Sequence, residues 1–181
     1  PAVGVTDTGN LFGALEFSLA ATAAGIQPII GCQLWVTRSD STVTTGAKRP
    51  NPDQLVLLVK DEQGYRNLMR LSSRAYLETD AGETPQVDIE ALEECGAGLI
   101  ALTGGAKGPV NRLLNEGRGA DAEAYLLRLK TIFNDRLYIE IQRHGIQDEV
   151  ASEPALLDLA YRHDLPLVAT NDCYFLDAQI Y

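Results

Sequence analysis

The chain has 181 residues, 45% of them hydrophobic and 22% charged, a balance that suits one globular domain with a sizeable core. Fifteen Lys and Arg against 25 Asp and Glu leave a formal charge of −10. Such a surface repels phosphate on average, which excludes strong nucleic-acid binding by this segment alone and favours basic or flexible protein segments as partners.

Strand-length apolar runs alternate with stretches of helical period. "AVGVT" (2–6) predicts a buried strand and "LFGALEFSLAATAAG" (11–25) a helix ended by Gly25. "QPIIGCQLWVT" (27–37) is a second strand, and the polar run 38–53 a long mobile loop. "QLVLLVK" (54–60) is a third strand. It precedes a helix over 61–78 with Tyr65, Leu68, Leu71 and Leu77 near one face. A short helix follows around "IEALEEC", then a strand over 98–104 and a helix opened by Pro109 and stopped at Gly117. A helix over 121–133 carries Leu126, Leu129 and Phe133 on one stripe. The strand 136–145, the helix 149–164 and the strand 165–172 complete the pattern. Continuous apolar strands alternating with helices predict a parallel sheet covered by helices, with active groups at the strands' C-terminal ends.

No apolar run reaches the length of a membrane span and no signal peptide is evident, so a cytoplasmic location is expected. Cys32, Cys95 and Cys173 form no CxxC pair, which predicts reduced, buried thiols. Pro1 stands directly before a strand-like run, and "FLDAQIY" closes without a polar tail. Residues 1–181 are therefore expected to be a single domain, truncated at both ends relative to a longer chain.

The strand ends supply few reactive groups. Asp7, in "VTDTGN", either caps the following helix or belongs to a site. His144 either closes a strand end as a hydrogen-bonding imidazole or acts as a ligand, and Asp172 either caps a loop or does the same. "TGGAKGP" (103–109) is a turn or a weak phosphate cradle, since the GxxxxGK[ST] spacing is absent. His163 suits a helix C-terminus. Cys32 and Cys173 have no neighbouring base in sequence, and Trp35 and the tyrosines are too scattered for a stacking platform.

"TDTGNLFGALEFSLAATAAGIQPIIGCQLWV", "LVLLVKDEQGYRNLMRLSSRAYLE", "GLIALTGG" and "LPLVATNDCYF" together resemble the PHP (polymerase and histidinol phosphatase) domain of bacterial DNA polymerase III alpha subunits. The resemblance implies a distorted (βα)7-type barrel, here lacking its first strand, which would carry a His-x-His pair. In metal-binding members a trinuclear cluster supports phosphoester or exonuclease chemistry. This sequence departs from that pattern, with Thr8 and Gln54 in place of His, Gln33 in place of Glu, Gly105 in place of Cys and Tyr174 in place of a final His. His144 and Asp172 remain as matching ligands, and Asp7 as the acidic neighbour of a lost one.

A catalytic zinc ordinarily needs three protein ligands. The resemblance therefore implies a catalytically inactive domain with no resident cofactor, or zinc or manganese at low occupancy. Its role would be to support the polymerase, a DNA-directed nucleotidyltransferase, and to dock the proofreading exonuclease subunit. The alternative is an active phosphoesterase, 3′–5′ exonuclease or pyrophosphatase with a reduced metal site.

Overall fold

The computed structural model describes residues 1–38 and 51–173. Most of the polar run 38–53, together with Tyr174, lies outside the described residues. Six strands, β1 (Ala2–Thr8), β2 (Gln27–Val36), β3 (Asp53–Val59), β4 (Leu99–Leu102), β5 (Leu137–Ile141) and β6 (Leu167–Ala169), form one sheet in chain order. They are joined by α1 (Ala14–Ala23), α2 (Glu62–Glu78), α3 (Ile89–Cys95), α4 (Pro109–Asn115), α5 (Gly119–Phe133) and α6 (Gln147–Arg162). Every element expected from the sequence is present, with shifted ends. The largest shift is at the strand expected over 136–145, which stops at Ile141 and releases Gln142 and His144 from the ladder.

The sheet is mixed, which corrects the all-parallel expectation. β1 and β2, β4 and β5, and β5 and β6 pair in parallel, but β3 runs antiparallel to both of its neighbours. The reason lies in the connections. Val36 at the end of β2 pairs with Asp53 at the start of β3, so the chain doubles back without crossing the sheet. Between β3 and β4 the chain forms two helices that pack on each other, α2 and α3. The chain re-enters the sheet beside the end it left, with the Lys60 N–H donating to the Gly98 carbonyl oxygen, so β4 also reverses.

The sheet is strongly curled. Four strand spacings separate β2 from β6, about 19 Å in a flat sheet. Yet Gln33 on β2 donates a hydrogen bond to Asp172, just beyond β6, at 3.0 Å. The result is an open half-barrel with β1 and β6 as its edge strands.

The core lies between this sheet and the helices. Leu34, Leu55 and Leu57 on the strands are fully buried, as is the expected α5 stripe of Leu126, Leu129 and Phe133. The α2 face needs correction. Leu68 and Leu71 are buried, but Tyr65 and Leu77 are exposed. The inward face is instead Gly64, Asn67, Leu68, Leu71 and Ala75. Gly64 sets that face, because the helix sits so close to the α3–β4 turn that a Cβ there would lie 1.9 Å from the Gly98 carbonyl oxygen.

Candidate functional site

The curl brings both strand ends and strand starts to one mouth, lined by Gln33, Gln54, Glu140, Gln142, His144 and Asp172 around a cleft of about 540 Å³. Because β3 is reversed, Gln54 arrives from a strand's beginning while the others arrive from strand ends. Register fixes the first group of contacts. Thr8 lies directly opposite Gln33 in the β1–β2 pair, and its hydroxyl donates to Gln33 Oε1 at 2.7 Å. Gln54 is diagonal to Gln33 across β2–β3 and donates to the same oxygen at 2.8 Å. Gln33 Nε2 then donates to Asp172 Oδ1, leaving Asp172 Oδ2 3.9 Å from Lys107 Nζ. A continuous chain of neutral donors thus runs from Thr8 to the Asp172 carboxylate.

Asp7 faces the other side of β1 and accepts from the Gly13 backbone N–H at 3.0 Å, at the entry to α1. Of the two readings open for it, the structure supports the helix cap.

The "TGGAKGP" turn does cradle an acidic group, but that group is the protein's own Glu140. Gly104 and Gly105 have positive φ, and Gly104 N–H donates to Glu140 Oε2 at 3.0 Å. Thr170 Oγ1 donates to Glu140 Oε1 at 2.5 Å. Burial pushes the Glu140 carboxyl above its ordinary range, against the opposing effect of the Thr170 hydroxyl and the Gly104 and Gly105 amides. Glu140 also fixes its own strand, since its N–H donates to Thr103 Oγ1 at 3.0 Å. Where a side chain would begin at Gly105, the Gln142 amide fills the space, with Oε1 2.4 Å from a Cβ placed there.

His144 is engaged at both ring nitrogens, with Nδ1 2.7 Å from Glu149 Oε1 and Nε2 2.8 Å from Asn171 Oδ1. Glu149 foremost raises the ring's pKa above the ordinary 6.5, with a smaller contribution from Asn171. A folded pKa above the unfolded one makes this pair's contribution full below about pH 6.5 and lost as pH rises through the folded value. The ring is 35% exposed, so that contribution is under about 1 kcal/mol. In an NMR titration His144 should therefore show a midpoint above 6.5, and Glu149→Gln should lower it.

Sequence reasoning singled out Thr8, Gln33, Gln54, Gly105, Tyr174, His144, Asp172 and Asp7. The structure brings Thr8, Gln33, Gln54, His144 and Asp172 to the mouth and Gly105 against Gln142. Asp7 bonds Gly13 at the entry to α1, and Tyr174 lies outside the described residues. Sequence reasoning missed Glu140, Gln142, Glu149 and Thr170. A signal for the first two was present, because "EIQRH" places Glu140, Gln142 and His144 at period two in and after an apolar strand. The other residues weighed lie elsewhere. Cys32 and Cys95 are buried, and burial pushes the Cys32 thiol up to about 11, which makes it a poor nucleophile. Cys173 is exposed, contrary to expectation, beyond the last strand, which was expected to reach 172 and ends at Ala169. His163 closes α6 and binds Glu123 of α5 at 2.6 Å.

Among the described residues, no three of His, Cys, Asp and Glu stand together as a metal-holding group. The residues present do not fit a multinuclear cation cluster. Neutral amides and a hydroxyl point at one another, and the histidine has neither nitrogen free. Among the described residues no helix is long and apolar enough to cross a membrane.

The open α/β half-barrel is a fold that solved structures of other proteins share. A proposed metal-dependent phosphoesterase of Bifidobacterium adolescentis shares it at a TM-score of 0.56 and 12% identity, over 94% of this chain and 76% of that one. The PHP domain signature matches residues 1–144, and the chain belongs to the PHP domain family. It is 46% identical over 182 residues to the DNA polymerase III subunit alpha of Caulobacter vibrioides, covering 100% of this chain and 16% of that protein. It is 42% identical over 178 residues to the subunit of the same name from Thermus aquaticus, covering 97% and 14%. The chain thus spans about a sixth or less of the length of these relatives.

Proposed function

We propose that this chain is the PHP segment of a bacterial replicative DNA polymerase III alpha subunit. In this reading it is a catalytically silent scaffold that supports the polymerase and docks the proofreading exonuclease subunit in the cytoplasm. Nucleotidyl transfer belongs to another part of the longer polypeptide. The likeness to DNA polymerase III alpha subunits over the whole chain supports the placement. The exposed apolar residues Val3, Leu15 and Leu19 beside the unpaired edge of β1 are consistent with a further strand closing the half-barrel there.

The silence rests on one observation, the closed hydrogen-bond chain Thr8–Gln33–Gln54 with Asp172. Each amide or hydroxyl that could turn toward a cation is already bound to a neighbour. In this reading Thr8, Gln33, Gln54, Gly105 and Tyr174 are positions of lost ligands. His144 and Asp172 are remnants, and Asp7 is kept for its cap. The test is hydrolysis of a nitrophenyl phosphodiester by the full-length subunit with added Mn²⁺ or Zn²⁺. The expected rate does not exceed that of the metal alone. Metal-dependent turnover abolished by Asp172→Ala would establish an active phosphoesterase instead.

A further inference from the structure

We draw no further inference here: the strongest candidate, the apolar groove of about 430 Å³ between α6 and the segment after β5, lined by Val150, Pro154 and Leu157, is an unpartnered face, and nothing among the described residues shows what covers it.

Discussion

Gly104→Ala lowers the stability of the fold by about 3 kcal/mol or more, the largest loss expected from any single added methyl at the mouth. Two effects combine there. Gly104 has φ near +86°, a backbone conformation that disfavours a side chain. A Cβ at that position would also lie 1.8 Å from the Gln54 carbonyl oxygen, and backbone cannot turn aside as a side-chain tip can. Relief requires β3 and β4 to separate. That would move Gln54 away from Gln33 and the Gly104 N–H away from Glu140. Gly117→Ala is the matched control, with φ near +73° but nothing within 4 Å, so only the backbone penalty of about 1 kcal/mol applies. Urea unfolding at unchanged slope should show a large midpoint shift for the first and a small one for the second. Equal shifts would remove close packing at the mouth from the account.

Arg112→Met is expected to cost about 3 kcal/mol. The Asp53 side chain is 4% exposed and accepts two bonds from the Arg112 guanidinium, at 2.7 and 2.9 Å. The pair ties α4 to the first residue of β3, next to Gln54, so it positions the site as well as the sheet. Removing one partner strands much of a buried charge, whereas removing both does not. Arg38, 3.3 Å from the same carboxylate, keeps the loss toward the lower end of that range. The double variant Asp53→Leu with Arg112→Met should therefore recover a substantial part of the stability lost by Arg112→Met alone. A double variant no more stable than the single would show that the packing of Arg112, not its charge, is what matters.

The elements were legible because apolar periodicity reports burial across the middle strands and the helices, although β1, expected to be buried, is exposed or half-buried along its length. The direction of β3 was not legible. Strand–helix alternation does not say at which end of the sheet the chain re-enters, and only pairing Val36 with Asp53 reveals the reversal. The α2 face was misread for a related reason. Counting leucines favoured Tyr65 and Leu77, while the packing was decided by Gly64, whose missing side chain allows contact with Gly98. At the mouth, it was the family resemblance, not any local pattern, that singled out Thr8, Gln33 and Gln54. What it could not reveal was how these residues satisfy one another. Nor could it show that the glycine turn, which reads as a phosphate cradle, is filled by Glu140 from a strand 36 residues away. That contact depends on β4 pairing with β5, and the Gln33–Asp172 bond on the curl of the sheet, neither of which a local pattern encodes.

The central claim is that the mouth satisfies its polar groups internally and holds no metal cluster. Bound metal tests it most directly. The full-length subunit would be purified without chelator, equilibrated with Zn²⁺ and Mn²⁺, desalted and analysed for metal per chain. Chains with Thr8→Ala and His144→Ala would be treated in parallel. The account predicts far less than one equivalent lost on substitution of either residue. Roughly two or three equivalents per chain, released by His144→Ala, would mean that the site assembles a cluster after all and would contradict it.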